Sequence, residues 1–271
     1  MRNLGFAMLV IWSILVCAAS PGQTAASGLN AKELFEKGMN ALEGSSATRS
    51  GQNAIDYFRR SSDLGFAPAQ VALGYLYETG RIISSDPREA LELYKKAAKQ
   101  NDPLAQWLVG RVIYLGAVPP RDLNEATGWL EKSSAHGDPF AEYLLGKIAL
   151  ERNDYTRAAD RFRQAAQLGL PQAQRQLAIL LRDGQGALLD KVQAYVWMLV
   201  SYDGGLKANS TDLQGLEAEL GSAQLEWAKT RARELESSTA RSVVAHGCTG
   251  RRGELDTIPA PPPPDLQGIC R

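Results

Sequence analysis

Two histidines, three cysteines and 30 carboxylates are what this chain offers for chemistry. Their placement limits what they can do. His136 sits in the stretch Ser134-Ala-His-Gly-Asp138, a turn whose counterparts hold Gln100-Asn-Asp102 and Leu64-Gly-Phe66. An imidazole in a solvated turn has no neighbour to make it a base or a ligand. His246 and Cys248 form a His-x-Cys pair, and two ligands alone do not close a tetrahedral zinc site. Cys248 and Cys270 read as a disulfide, the commoner fate of two cysteines in an exported chain. That bridge would constrain an extended segment holding Pro259 and the run Pro261 to Pro264. There is no phosphate-cradling Gly loop, no Gly-x-Ser-x-Gly elbow and no carboxylate pair placed for acid–base work. No catalytic residue, cofactor or metal is expected, so function must come from a surface.

Charge excludes a second class. The 30 Lys and Arg balance the 30 Asp and Glu, so the cationic excess needed for phosphate neutralisation is missing and no nucleic-acid partner is expected. With 44% hydrophobic and 22% charged residues, the composition suits a packed chain and not a disordered one. Arg2 precedes an apolar run from Gly5 to Cys17, followed by small residues to Ala26. This is the layout of a secretory signal, and the run is short for a membrane span. Cleavage after Ser20 would put Pro21 behind the bond; cleavage after Ala26, with Thr24 and Ala26 flanking it, fits better. Cys17 raises lipidation, although Val16 stands where a small residue is required, and a retained anchor is a further alternative. The chain is expected to be periplasmic or secreted, without a stable membrane span once the signal is gone.

The elements that position a surface repeat along the chain. Ala54, Ala90, Ala126, Ala158 and Ala194 fall at intervals of 36, 36, 32 and 36 residues. Ala69, Ala105, Ala141 and Ala173 keep the same phase, so each repeat holds two different helices. Asp86-x-x-Glu89, Asp122-x-x-Glu125 and Asp190-x-x-Gln193 predict capping boxes, with Asp154 in the same place. Pro68, Pro103, Pro139 and Pro171 open the second set, at the position where a missing N–H does no harm, and Asp102 and Asp138 cap two of them. The four-residue shortening falls between Gly146 and Asp154 and trims a loop. In the first second-set helix Ala69, Ala72, Leu73, Leu76 and Tyr77 make one buried face. Gly74, Gly110 and Gly146 each cost about 1 kcal/mol of helix propensity relative to Ala. Their recurrence predicts helices too close for a β-carbon.

These phased positions carry a family resemblance. The pattern Ala-x-x-x-Leu-Gly-x-x-Tyr, then Ala-x-x-x-Tyr/Trp-x-x-Ala-Ala, resembles the Sel1-like repeat, a relative of the tetratricopeptide repeat. Ala97-Ala98 and Ala165-Ala166 carry the double alanine, and Ser61-Ser62 and Ser133-Ser134 replace it. The resemblance implies an all-α, right-handed α/α solenoid over residues 51–203. A signal at 1–26 and an N-terminal capping helix within 27–50, opened by Asn30-x-x-Glu33, would precede it. Ala194-Tyr-Val-Trp-Met198 and Gln224 to Leu235 resemble the end helices of bacterial arrays, giving C-terminal caps at 204–240. Residues 241–271 are then a Pro-rich, irregular tail. The family also implies a protein-interaction scaffold without chemistry of its own.

Comparing the repeats suggests where a partner would sit. Positions 2, 6 and 9 of the second-set helices lie about 180–240° from the first alanine, away from the buried face. Those columns contain Tyr75, Trp107, Arg111, Tyr114, Tyr143, Lys147, Arg175 and Arg182. Aromatics and cations dominate interface hot spots, and in this family the second set lines the concave surface, so the stripe is a candidate partner-binding surface. The same rings would alternatively pack against adjacent repeats. The expected partner is a protein or peptide of the cell envelope. A polysaccharide is the alternative, with Tyr75, Trp107 and Tyr143 stacking on sugars while Arg111 and Lys147 meet acidic groups.

Overall fold

Every strong signal in the repeat is helical, and the fold follows it. The computed structural model describes residues 29–43, 48–80, 82–203 and 210–246. Among them are twelve α-helices and no strand. They are α1 (Ala31–Glu43), α2 (Thr48–Asp63), α3 (Ala67–Thr79), α4 (Pro87–Ala98), α5 (Pro103–Leu115) and α6 (Leu123–Ser134). Then come α7 (Pro139–Glu151), α8 (Tyr155–Gln167), α9 (Pro171–Asp183), α10 (Lys191–Asp203), α11 (Ser210–Glu219) and α12 (Ser222–His246). The signal with its cleavage site, and the tail with Cys248 and Cys270, lie outside the described residues. Among the described residues no helix is long and apolar enough to cross a membrane.

From α1 to α11 each helix packs on its neighbours in the chain, most closely in the pairs α1/α2, α3/α4, α5/α6, α7/α8 and α9/α10, whereas α12 packs on α10. The glycines explain the closeness. A β-carbon on Gly74 would stand 2.7 Å from the Tyr94 ring, one on Gly110 2.5 Å from Leu130 Cγ, and one on Gly146 2.6 Å from the Phe162 ring. Gly38 meets Phe58 in the same way at 2.5 Å. Thus α1 repeats the geometry of α3, α5 and α7, and the structural period begins one helix earlier than the alanine columns show.

Caps form largely as the sequence predicts. Asn30 and Glu33 make a reciprocal box, each backbone N–H bonded 2.9 Å from the other's side chain. Asp86 and Asp122 each accept two backbone N–H bonds at the starts of α4 and α6. At Asp86 and Asp190, however, the return bond of a capping box has no donor to use. Their own N–H groups already donate to the carbonyls of Tyr77 and Leu181, at 2.9 Å each, and so close the loop between repeats. Asp154 makes the equivalent bond to Ala149 despite its shorter loop.

The serines that replace the double alanine are explained by their bonds. Ser61 Oγ donates to the Ala31 carbonyl (2.6 Å) and Ser133 Oγ to the Pro103 carbonyl (3.0 Å), each 30 residues back along the chain. Gln106 and Gln174, both buried, donate to the carbonyls of Ala98 and Ala166. These bonds satisfy the hydroxyls and the amide nitrogens, which would be costly to bury unpaired, while Oε1 of Gln106 and of Gln174 stays buried without a hydrogen bond.

Candidate protein-interaction site

The stripe predicted from the second-set helices does not lie open as expected. Tyr75, Trp107 and Arg111 are 1%, 2% and 1% exposed. Tyr114, Tyr143, Lys147, Arg175 and Arg182 are half-buried. Pointing away from one helix's own buried face does not mean pointing into water, because a stacked neighbour can lie there. Here α5 touches α7 directly. The Trp107 ring meets Phe140 at the start of α7, with centroids 5.8 Å apart, and the Arg111 guanidinium lies 5.4 Å from the indole centroid. Packing between repeats, not exposure, therefore describes these three residues.

The cations are held by carboxylates of adjacent repeats. Arg111 pairs with Glu78, 33 residues back, and the Tyr94 hydroxyl donates to the other oxygen of Glu78 at 2.8 Å. Arg121 donates from Nη2 to both carboxylate oxygens of Glu151 (2.9 and 2.8 Å) while lying 5.0 Å from the Tyr114 ring centroid. Arg175 and Arg182 both face Asp212 of α11, at 3.6 and 3.5 Å. Around them, Glu217 accepts from the Tyr195 hydroxyl at 2.7 Å and Glu219 pairs with Lys191. Leu216, 1% exposed, anchors α11 in the core. The stripe thus begins buried at Tyr75, opens through Tyr114, Tyr143 and Lys147, and is partly covered by α11 at its C-terminal end.

Glu78, Glu151, Phe140 and Asp212 belong to this site, and the sequence reading passed over them as binding residues. A signal for one was present. Glu78 stands in the same column as Tyr114, and a step of 33 residues to Arg111 is one repeat less one helical turn.

Burial leaves electrostatic marks. Desolvation raises the Tyr94 phenol well above its ordinary value of 10, and the Glu78 carboxylate adds to it. Desolvation and the hydrogen bond to Glu151 push Tyr114 up to about 12. Burial works to raise Glu151, but the bonds from Arg121 and Tyr114 outweigh it and hold this carboxyl below the usual range. A phenol whose folded-state pKa exceeds its unfolded value contributes stability that is complete below the unfolded pKa and is lost as pH rises through the folded one. Resistance to urea should therefore fall as pH climbs from 10 toward about 12. Spectroscopic titration of tyrosinate should show a step near pH 12 that Tyr114→Phe removes. A Tyr114 step at the ordinary value of 10 would contradict the hydrogen bond to Glu151 and the partial burial of the phenol.

No group of three or more potential metal-ligating side chains occurs among the described residues. His136 is exposed in the turn after α6.

Comparison with known proteins gives a consistent picture. The Sel1 repeat model matches residues 38–66, 67–102, 103–138, 140–170 and 171–206. A protective antigen present in uropathogenic Escherichia coli strains, displaying an SLR fold, is 26% identical with a TM-score of 0.69. The match covers 83% of this chain and 48% of that one, so the chain spans about half the length of the antigen. A Sel1 repeat protein from Oxalobacter formigenes is 25% identical with a TM-score of 0.62, over 76% of this chain and 88% of that one. No curated protein matches.

Proposed function

Because the chain belongs to the Sel1 repeat family, we propose that it is a non-enzymatic adaptor or regulator of the bacterial periplasm that holds a partner protein or peptide in its concave groove. Sel1 repeat proteins generally mediate protein–protein interaction, and their fold is generally a non-catalytic scaffold. The observation that carries the reading is the half-buried row Tyr114, Tyr143, Lys147, Arg175 and Arg182 on one set of helices. Aromatic and cationic side chains with one open side are what an interface hot spot uses. Export by the N-terminal signal and a Cys248–Cys270 bridge complete the proposal. A polysaccharide platform is less well supported, since stacking needs open ring faces and two of its three rings, Tyr75 and Trp107, are buried.

The test is capture of partners from an envelope extract by the wild type and by Lys147→Glu/Arg175→Gln. Both positions are half-buried and not in the core, so the variant should keep the wild-type helical signal. A protein held by the wild type and lost from the variant supports the groove. Equal capture by both removes it.

A further inference from the structure

The 32-residue interval in an array otherwise spaced at 36 leaves a mark on the outer set of helices. In two other repeats the long loop folds back onto the start of the preceding outer helix. Ile82 lies over Gly51 of α2, where a β-carbon would be 2.8 Å away, and Gly186 lies against the Tyr155–Thr156 backbone at the start of α8. Between α7 and α8 the connection is only Arg152, Asn153 and Asp154. No loop returns to α6 there; the Arg152 guanidinium reaches it instead, 2.8 Å from Asn124 Oδ1.

What remains is a shallow, open notch between α6 and α8, floored by α7, whose cavity volume is about 20 Å³, room for roughly one water. Leu145, Ile148 and Ala149 form the apolar floor, and Thr127, Glu131, Arg152, Asp154, Arg157 and Arg161 form the walls. The wall chemistry is peculiar to this repeat. Where Arg161 stands, the other outer helices have Tyr57, Leu93, Trp129 and Trp197; where Arg157 stands, they have Asn53, Glu89, Glu125 and Gln193. Arg161 is accounted for by Glu142, whose buried carboxylate lies 3.2 Å away, and by Glu131 at 3.7 Å. Arg152 and Arg157 are exposed and are not needed for that pair. Arg157 meets Asp154 at 3.5 Å, and that carboxylate already accepts the Arg157 backbone N–H. A guanidinium carries five N–H donors, so the notch has donors to spare over an apolar floor.

We propose that this notch docks an extended, carboxylate-bearing segment of a partner protein, lying along the short α7–α8 connection where no long loop covers the surface. The proposal rests on the adaptor reading but uses none of the groove residues, so either can fail alone.

The probe is the acetylated, amidated peptide Gly-Asp-Val-Pro-Glu-Asp, patterned on the loop that begins at Gly116, followed by NMR of the arginine Nε–H groups in the full chain. Saturable shifts at Arg152 and Arg157 are expected, weakening as salt is added. Arg152→Glu/Arg157→Glu should lower affinity about tenfold or more, as expected for loss of charge-assisted hydrogen bonds. Copying Ala117–Pro120 between Arg152 and Asn153 restores the 36-residue interval and should block binding by filling the notch. Lys147→Glu/Arg175→Gln should bind the peptide as the wild type does. The proposal is overturned if no saturable shift appears, or if the double charge reversal binds as tightly as the wild type. An equal response to the neutral peptide Gly-Asn-Val-Pro-Gln-Asn would sink it as well. Equal shifts with inorganic phosphate would show a bare anion site, and undiminished binding by a folded loop-restored chain would place the peptide elsewhere.

Discussion

Trp107→Ala should lower the free energy of unfolding by about 3–5 kcal/mol, the cost of emptying a buried indole site. The residue is 2% exposed, packed at a tilt against Phe140 and under the Arg111 guanidinium. Its natural control is Trp227 on α12, which is 51% exposed. Trp227→Ala should change stability by less than about 0.5 kcal/mol, as surface substitutions usually do. Urea unfolding of the two variants, followed by helical signal, distinguishes the cases. If Trp107→Ala were as mild as Trp227→Ala, the ring would be a surface group and the original reading of the stripe would return. The result also governs binding studies. A variant carrying Trp107→Ala or Arg111→Glu loses binding through its fold, whatever the groove does, which is why Lys147 and Arg175 are the residues to change.

A second pair of substitutions separates helix propensity from packing by the sign of the effect. Gly110 and Gly128 both lie inside helices, and replacement by Ala gains about 1 kcal/mol of propensity at either. At Gly128 a β-carbon meets nothing within 4 Å, so Gly128→Ala should stabilise by about that amount. At Gly110 it would stand 2.5 Å from Leu130 Cγ and 3.2 Å from the Ala126 carbonyl oxygen. Leu130 is fully buried and cannot swing aside, and the carbonyl belongs to backbone. Overpacking typically costs about 1–3 kcal/mol, so Gly110→Ala should be net destabilising despite better propensity. Equal gains at both positions would mean that α5 and α6 part easily, and that the recurring glycines are not packing requirements.

Most of the architecture was legible because a repeat states each requirement several times. One proline at a helix start or one glycine inside a helix means little. Pro103, Pro139 and Pro171 in phase, or Gly74, Gly110 and Gly146 in phase, specify a hairpin and its closest contact. The serines standing in for Ala97-Ala98 could be seen but not explained, because the bond from Ser133 to the Pro103 carbonyl exists only when helices 30 residues apart meet. The capping boxes at Asp86 and Asp190 were half right for the same reason. Their side chains act locally, but their N–H groups answer to carbonyls of the previous helix.

The sequence by itself determined the helices, their order, their phase and the family they belong to, since these depend on contacts within a helix or between neighbours in the chain. It did not determine which side of a helix meets water. That depends on how closely alternate helices approach, and the tertiary stack alone brought α5 against α7, buried Trp107 and joined Arg111 to Glu78. The notch shows the same division. The missing four residues are visible in the spacing, but only the assembled fold turns their absence into a space walled by Arg152, Arg157 and Arg161.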